Sequence, residues 1–352
     1  MNGFPFLTFS NAGVELSLSH PRHGAADEPD LVVLPDGRSF YLQRRMVNSL
    51  FGAVYHGVQG LCRNPNDPRT FMISQREEDH FHVAVKRSSL AHMRRTPQEN
   101  VFKEIAVMRY LAAGPGPAGG HRFVMPLVEA CMSETHVYVV TPYCGGGDLL
   151  TMVTPGEGTG EQHARRWFRQ IFLGLSHVHA NDLCHHDFSP ENVVITRMGD
   201  AAVVMDFGMV QRMRRGPQGE VLEALDSRRF GKFRRVYELR YMAPEIWNNQ
   251  EYDGTQIDIW SVGVTLLVCL LGDYPWAAPT RIPIASEGIF TSDIHTYVTL
   301  EQHGAGVLLE RLDLSSRISP AAVDLLCTML VVDRTLRPSS AQLLAQHPFF
   351  TV

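Results

Sequence analysis

One stretch of the chain places two carboxylates and an amide around a predicted β-hairpin. It contains Cys184-His185-His186-Asp187-Phe188-Ser189-Pro190-Glu191-Asn192, then Val193-Val194-Ile195, and after a turn Val203-Val204-Met205-Asp206-Phe207-Gly208. Phosphoryl transfer needs a carboxylate near the attacking hydroxyl group and oxygen ligands that hold Mg²⁺ against the phosphates. Asp187, Asn192 and Asp206 offer that set of groups. For Asp206 alone, an ordinary turn after a buried strand is the alternative interpretation.

A lysine and a glutamate upstream have the spacing of an ion pair between two elements. Lys86 ends the apolar run Val83-Ala84-Val85, which predicts a strand. Glu104 lies among apolar residues that recur at steps of three and four and predict an amphipathic helix, namely Val101, Ile105, Met108 and Leu111. Lysine is rarely buried unless it is paired. We therefore expect Glu104 to hold the Lys86 ammonium group toward a phosphate.

Length and composition favour a globular protein with about two structural lobes. The chain has 352 residues, of which 44% are hydrophobic and 20% charged, so disorder of the whole chain is excluded. The net charge of −5 gives no positive field, and we predict neither a nucleic-acid nor a membrane partner. The longest apolar run, residues 262–271, is too short to span a bilayer and predicts a buried helix. The scattered cysteines and the lack of a secretory signal predict a reducing, cytoplasmic location.

The organisation changes from strand-rich to helix-rich near residue 145. Residues 1–37 contain short alternating segments and turns, and their role is unknown. Residues 123–127 and 137–140 are predicted strands. After Gly145-Gly146-Gly147, helical spacing dominates, as in Trp167, Ile171, Leu175 and Val178.

Two further motifs complete an ordered series, Tyr241-Met242-Ala243-Pro244-Glu245 and Asp258-Ile259-Trp260-Ser261-Val262-Gly263. With this series the chain resembles a eukaryotic protein kinase from about residue 38 to residue 350. The resemblance implies an α+β, bilobal fold with a β-rich N-lobe at about 38–142 and a helical C-lobe at about 145–350. It also implies that ATP lies between the lobes and that residues 1–37 are an N-terminal extension.

The resemblance assigns roles residue by residue. Lys86 matches the phosphate-binding lysine and Glu104 its partner, Asp187 matches the catalytic base, and Asn192 and Asp206 match the ligands of Mg²⁺, with Mn²⁺ as a substitute. The implied nucleotide contacts are Gly52 of the glycine-rich loop, Val54 and Ala84 over the adenine, Val194 beneath it, Thr141 as gatekeeper, Pro142-Tyr143-Cys144 as hinge, and Asp148 at the ribose. Glu245 would pair with Arg337, and Asp258 would brace the catalytic loop. The alternative for Arg337 is an arginine at the surface, and the alternative for Asp258 is a helix cap.

The chain departs from the family pattern in several places. The glycine-rich loop reads Val47-Asn48-Ser49-Leu50-Phe51-Gly52-Ala53-Val54, so only its third glycine remains, and we expect weaker nucleotide affinity. His186 replaces the arginine before the catalytic aspartate, and Ser189 replaces the lysine two residues after it. Glu238 occupies the place of a threonine. These changes suggest that the substrate side of the site is rebuilt, toward either a different arrangement or reduced catalysis.

Arginines concentrate between Met209 and Arg240, where they include Arg228-Arg229 and Arg234-Arg235. We interpret this cluster as a surface that recruits acidic protein substrates, with a solvated basic loop as the alternative. Ser227 and Tyr237 are candidate phosphorylation sites in the same segment.

The resemblance implies a signalling enzyme, an ATP-dependent serine/threonine-protein kinase. Two alternatives stay open. One is a pseudokinase that acts as a scaffold or allosteric partner, which the altered glycine-rich loop and Ser189 favour. The other is a small-molecule phosphotransferase, against which the order of Glu245, Asp258 and Arg337 argues.

Overall fold

A computed structural model of the protein describes residues 31–34, 38–59, 62–64, 67–72, 81–95, 100–113, 120–216, 221–226, 238–248, 250–276 and 294–351. These residues form two compact units. Residues up to 113, residue 120 and residues 125–144 belong to the N-terminal unit, and residues 121–124 and 145–351 belong to the C-terminal unit. The first is rich in strands and the second in helices, which confirms the predicted α+β class.

The strands and helices of the N-terminal unit follow one another in chain order as β1 (Leu31–Val33), β2 (Ser39–Ser49), β3 (Gly52–Gln59), β4 (Cys62–Asn64), β5 (Asp67–Met72), β6 (Phe81–Ser89), α1 (Leu90–Arg95), α2 (Val101–Ala113), β7 (Glu129–Met132) and β8 (His136–Pro142). Six of the strands form one antiparallel sheet in the order β1-β2-β3-β6-β8-β7. Helix α2 buries the four residues whose spacing predicted it. Residues 123–127, predicted as a strand, make only one isolated bridge, at Val124, so that prediction is wrong.

The sheet includes residues that precede the predicted domain start at residue 38. Leu31–Val33 pairs with β2, and Val32 and Leu34 are buried in a cluster with Phe40, Tyr55 and other apolar residues of the sheet. Arg38 also forms an ion pair of 2.6 Å with Glu129 of β7. The segment around residue 34 is thus part of the core of this unit. The other residues of the segment 1–37 that was predicted as short strands and turns, 1–30 and 35–37, lie outside the described part of the chain.

We expect Leu34→Ala to lower the free energy of unfolding by about 2–5 kcal/mol, because it removes a fully packed side chain and leaves a cavity. Leu34 is 4% exposed, whereas Leu336 is 66% exposed and supplies the matched control, Leu336→Ala. Chemical denaturation of both variants measures the effect. Equal stabilities of the two variants would show that residue 34 is peripheral to the fold.

The C-terminal unit contains the remaining elements, which are α3 (Glu161–Ala180), β9 (Leu183–Cys184), β10 (Val193–Ile195), β11 (Ala202–Val204), β12 (Gln211–Arg212), β13 (Arg214–Arg215), β14 (Val221–Glu223), β15 (Leu225–Asp226), α4 (Pro244–Trp247), β16 (Glu251–Tyr252), α5 (Gly254–Leu271), α6 (Ile294–Arg311), α7 (Pro320–Met329), α8 (Ser340–Gln346) and α9 (Pro348–Thr351). Its short strands form two-stranded pairs: β9 with β12, β10 with β11, β13 with β14, and β15 with β16.

Helix α5 forms the centre of the C-terminal unit. It is long and apolar enough to cross a membrane, but 83% of it is buried inside the protein, which confirms the predicted buried helix. The side chain of Asp253 caps its N-terminus by accepting a hydrogen bond from the Thr255 backbone N–H at 2.8 Å. Asp258 therefore lies inside the helix, and the alternative that Asp258 is the cap is wrong.

The predicted ion pair between Glu245 and Arg337 is present and buried. Two nitrogens of the Arg337 guanidinium donate to the two carboxylate oxygens of Glu245 at 2.7 and 3.0 Å. The side chains are 0% and 2% exposed for Arg337 and Glu245 respectively. Arg337 also lies over the ring of Trp260 on α5, 4.9 Å from its centroid. The pair joins α4 to the turn before α8.

Candidate functional site

Lys86 and Glu104 meet in the N-terminal unit. The Lys86 Nζ donates to Glu104 Oε2 at 2.8 Å, and the two side chains are 16% and 8% exposed. Asn100 precedes α2, and its side-chain oxygen accepts hydrogen bonds from the backbone N–H groups of Phe102 and Lys103. This cap fixes where the helix begins and places Glu104 in its first turn, where the helix dipole stabilises a carboxylate. The pairing agrees with the sequence prediction and holds the ammonium group in place.

The side chains predicted to contact an adenine alternate with core residues along the strands. In the antiparallel register Val54 of β3 lies opposite Lys86 of β6, and Ala84 lies opposite Thr141 of β8. All four are partly exposed, whereas their neighbours Ala53, Val83, Val85 and Val140 are buried on the other face. Because side chains alternate between the faces of a sheet, these four share one face. That face offers a small apolar surface beside a fixed ammonium group.

Two histidines that the sequence analysis missed lie on this same face. His56 is two residues after Val54, and His82 is two residues before Ala84. Their nitrogens Nε2 and Nδ1 are 3.0 Å apart, and the ring of Tyr143 lies 4.4 Å from that of His56, centroid to centroid. Burial lowers the pKa of His56, and the charge of His82 adds to that effect. The period of two along a strand was the signal that could have found both residues.

The residues predicted to form the hinge continue from strand β8. The Tyr143 backbone N–H donates to the carbonyl of His82 at 3.1 Å. Cys144 is partly buried, and burial raises the pKa of its thiol, so that the thiol stays protonated at neutral pH.

The altered glycine-rich loop is a tight hairpin between β2 and β3. Ser49 pairs with Gly52, and the carbonyl of Phe51 accepts a hydrogen bond from the Ser89 backbone N–H at 2.9 Å. Phe51 is 1% exposed. A Cβ atom on Gly52 would lie 2.1 Å from the carbonyl oxygen of Arg87, so no other residue fits here without a shift of β6. Gly52, the glycine that remains in the loop, is thus the one that packing against β6 requires. Val47, at the place of another glycine of the family pattern, is 58% exposed.

The catalytic-loop candidates in the C-terminal unit surround the β10–β11 hairpin, as predicted. Val193 pairs with Val204, so Asn192 before β10 and Asp206 after β11 lie at the same end. The Asn192 side-chain nitrogen donates to the carbonyl of Asp187 at 2.7 Å, and the Asn192 carbonyl accepts from the Met205 backbone N–H at 2.9 Å. These bonds connect all three segments of the site. Asp206 has a left-handed backbone with φ of 62°.

Asp258 holds the backbone of the loop that leads to Asp187. Its two carboxylate oxygens accept hydrogen bonds from the backbone N–H groups of His185 and His186, at 2.7 and 2.8 Å. Asp258 is 1% exposed, and the Nε2 of His179 lies 2.9 Å from the same carboxylate. The predicted brace is therefore present. His179 was missed, because its spacing on α3 gives no sign that its partner lies on α5.

His186 and Ser189, the two departures from the family pattern next to Asp187, each have a side-chain neighbour. His186 is buried, and its Nε2 lies 2.6 Å from the hydroxyl oxygen of Tyr252. Ser189 lies two residues before Glu191. Burial raises the pKa of the Glu191 carboxyl, and the charges of Asp148 and Asp187 raise it further, while the nearby Ser189 side chain lowers it.

Asp148 and Val194, two predicted nucleotide contacts, are neighbours in the C-terminal unit. They form an antiparallel bridge through their backbones. The Asp148 carboxylate accepts a hydrogen bond from the Thr151 backbone N–H at 2.8 Å, which fixes the side chain at the start of a short 3-10 helix, Leu150–Met152. Of the remaining candidates, Glu238 begins the 3-10 helix Glu238–Tyr241. Arg228-Arg229, Arg234-Arg235, Ser227 and Tyr237 lie outside the described residues.

The donor atoms fit Mg²⁺. The Asn192 amide nitrogen is used in its bond to Asp187, which leaves the amide oxygen as the ligand atom, and Asp206 supplies a carboxylate. Both are hard oxygen donors. Within the described parts of the chain there is no cluster of three or more His, Cys, Asp or Glu side chains that would form an all-protein metal site. Two protein ligands are typical of a Mg²⁺ ion whose other ligands are water and substrate phosphates.

Comparison with known proteins gives a consistent result. A family model of the protein kinase domain matches residues 71–350, about four fifths of the chain, starting downstream of the altered loop at residues 47–54. The serine/threonine-protein kinase SAPK3 of Oryza sativa subsp. indica is 31% identical over 182 residues, which are 51% of this chain and 48% of that protein. The CBL-interacting serine/threonine-protein kinase 16 of Arabidopsis thaliana is 30% identical over 235 residues, 64% of this chain and 42% of that protein.

A third relative is more distant but covers more of the chain. The probable serine/threonine-protein kinase MARK-C of Dictyostelium discoideum is 26% identical over 254 residues, 71% of this chain and 28% of that protein. The chain thus spans less than half the length of each of these curated relatives. Since the kinase-domain match extends over most of the chain and the relatives are serine/threonine-protein kinases, the chain belongs to the protein kinase family.

Proposed function

We propose that this chain is an active serine/threonine kinase that transfers the γ-phosphoryl group of ATP to protein hydroxyl groups. The observation that carries the proposal is the connected loop of Asp187, Asn192 and Asp206. The Asn192 amide is fixed to the Asp187 backbone at 2.7 Å, and Asp258 braces the residues just before Asp187. Catalysis of phosphoryl transfer depends mainly on such positioning and on electrostatic stabilisation.

Each polar group has a defined task in this proposal. The Asp187 carboxylate orients the attacking hydroxyl group and accepts its proton. The Asn192 amide oxygen and the Asp206 carboxylate hold Mg²⁺, which supplies positive charge next to the phosphate oxygens. Lys86, fixed by Glu104 at 2.8 Å, contacts the α- and β-phosphates.

The nucleotide contacts follow from the sheet face and the hinge. Val54, Ala84 and Val194 provide apolar contacts for the adenine, and Gly52 allows the close approach of its hairpin to β6. Tyr143 and Cys144 offer backbone groups to the adenine edge, Thr141 borders the adenine, and Asp148 accepts a hydrogen bond from the ribose. We assign residues 38–350 to this domain and add the strand Leu31–Val33 and Leu34, which belong to its sheet and core. We propose acidic proteins as substrates because of the arginines between Met209 and Arg240. The cysteines are scattered along the sequence and do not indicate a disulfide framework, which supports a cytoplasmic location.

A second candidate is a pseudokinase with weak or no transfer. Two observations favour it. Ser189 stands where the family has a lysine, so one positive charge is lost near the γ-phosphoryl group. The hairpin before Gly52 is packed through Phe51 and carries Val47 and Ser49 instead of glycines.

The test measures γ-phosphoryl transfer by purified protein with Mg²⁺ or Mn²⁺, using an acidic protein, a basic protein and small alcohols as acceptors. We expect Asp187→Asn to lower the rate about 10²–10⁴-fold, since it removes the base. Lys86→Met should lower the rate about 10²–10³-fold, since it removes a stabilising charge. Lys103→Met on the same helix as Glu104 is the matched control and should retain activity. No turnover by the wild type would favour the pseudokinase, and transfer to small alcohols alone would favour a small-molecule phosphotransferase.

A further inference from the structure

His186, the residue directly before Asp187, has a backbone conformation that requires external support. Its φ is 68°, in the left-handed region that residues with a Cβ atom rarely adopt. It is also only 4% exposed, which places an imidazole inside the C-terminal unit. Such a conformation persists where surrounding contacts determine it. A contact that fixes the position of His186 therefore also fixes the backbone directly before Asp187, the proposed catalytic base.

Two contacts provide this support, and they come from residues close together in sequence. The His186 backbone N–H donates to Asp258 of α5 at 2.8 Å. On its side chain, the Nε2 atom lies 2.6 Å from the hydroxyl oxygen of Tyr252, and the two rings are 5.8 Å apart, centroid to centroid. Tyr252 is 1% exposed. A buried hydrogen bond of this length cannot be replaced by water without opening the structure.

Tyr252 also belongs to the strand that holds the segment after Asp206. In β16 it pairs with Leu225 of β15, and Glu251 pairs with Asp226. The next residue, Asp253, caps α5 and forms an ion pair of 3.2 Å with Arg215 of β13. A second ion pair, between Arg214 and Glu223, joins β13 to β14 at 3.0 Å. Three consecutive residues, 251–253, therefore hold both β13, through Arg215, and β15, through Leu225 and Asp226.

We propose that Tyr252 is a positioning residue whose hydroxyl group couples the loop before Asp187 to the docking of residues 214–215 and 221–226. The pairing of β15 with β16 positions Tyr252 next to His186. The hydrogen bond between the Tyr252 hydroxyl group and the His186 imidazole then holds the backbone before Asp187 in place. These contacts consist of backbone pairing, carboxylate–guanidinium pairs and one hydroxyl–imidazole bond, so they form without a phosphate group. The consequence for catalysis rests on the proposed function, whereas the coupling between the two segments does not.

The test uses Tyr252→Phe, which keeps the ring and the strand pairing and removes only the hydroxyl group. Hydrogen–deuterium exchange is followed in peptides that cover residues 183–192 and 221–226. We expect exchange to become about tenfold faster in both, the effect of losing one buried hydrogen bond of ordinary strength. Tyr110→Phe is the matched control, because Tyr110 is 36% exposed on α2, and it should exchange as the wild type does.

Substitutions at His186 provide the second arm. His186→Leu should accelerate exchange in the same two peptides, and the double variant with Tyr252→Phe should exchange no faster than either single variant. His186→Gln, whose amide can occupy the position of Nε2, should recover most of the protection. If Tyr252→Phe does not fold, His186→Gln and His186→Leu still give the comparison. Exchange that is unchanged, or changed in only one peptide, would overturn the coupling.

Activity adds an independent readout. If the wild type transfers phosphate, we expect Tyr252→Phe to lower kcat about tenfold and to leave the KM for ATP unchanged, since it misplaces the base and not the nucleotide. An unchanged kcat would overturn the positioning role. If the wild type shows no turnover, the proposed function fails while the exchange experiment still decides the coupling. Phosphatase treatment of the wild type should leave exchange of residues 221–226 unchanged, and acceleration would contradict phosphate-free docking.

Discussion

Arg337→Met is expected to lower the free energy of unfolding by about 3–5 kcal/mol, because it leaves the Glu245 carboxylate buried without its partner. The Arg337 side chain also donates from Nε to the Val331 carbonyl at 2.8 Å and from Nη1 to the Gln256 carbonyl at 3.1 Å. In the variant the Val331 and Gln256 carbonyls lose their donors as well, so the free energy of unfolding falls by more than it would on breaking a surface ion pair. Urea denaturation followed by circular dichroism measures the change.

Two further variants separate the charge effect from the general loss of an arginine. Arg317→Met is the matched control, because Arg317 is exposed and donates to the Gly156 carbonyl, and we expect a change below about 1 kcal/mol. The double variant Glu245→Gln with Arg337→Met removes both charges and should recover part of the stability. If Arg337→Met is as stable as the control Arg317→Met, the Glu245–Arg337 ion pair contributes little to the stability of the fold.

Asp258→Asn is expected to lower phosphoryl transfer about 10²-fold or more, because small displacements of a catalytic loop have effects of that size. The carboxylate receives two backbone N–H groups and faces His179. An amide presents one oxygen and one donor, so at least one of these buried N–H groups would face another donor. The loop before Asp187 would then shift, while the Lys86–Glu104 pair in the N-terminal unit stays unchanged.

The measurement is a single-turnover transfer rate at saturating ATP, together with nucleotide affinity. We expect the rate to fall and the affinity to change little, because Asp258 supports the loop before Asp187, whereas Val54 and Ala84 belong to the sheet of the N-terminal unit. Asp333→Asn is the control, since Asp333 caps an exposed 3-10 helix and asparagine caps equally well. A rate equal to that of the control would show that the loop does not depend on Asp258.

The sequence predicted the parts of the site that depend on local order along the chain. Helical spacing around Glu104 and the strand before Lys86 predicted two facing elements, and the structure brings their side chains to 2.8 Å. The hairpin that places Asn192 and Asp206 at one end is likewise a local feature, since Gly208 lies only 13 positions after Ile195, the last residue of β10. For Glu245, Asp258 and Arg337, the order of the motifs and the family resemblance were sufficient to predict the contacts.

Only the tertiary structure showed which groups support these residues. The partners of His186, Tyr252 on β16, and of His179, Asp258 on α5, are 66 and 79 residues away, and neither pair has a local pattern. The contribution of Leu34 to the sheet depends on the pairing of β1 with β2, and short alternating segments do not determine their strand partners.

Residue types and spacing by themselves determined which chemistry is proposed for this protein, because a phosphoryl-transfer site needs particular functional groups in a particular order. The tertiary structure decided how Ser189, His186 and the altered loop are accommodated. Their partners are set by strand register and helix packing, which depend on contacts distant in sequence. Phe51 became a core residue, and His186 became a buried neighbour of Tyr252, for that reason.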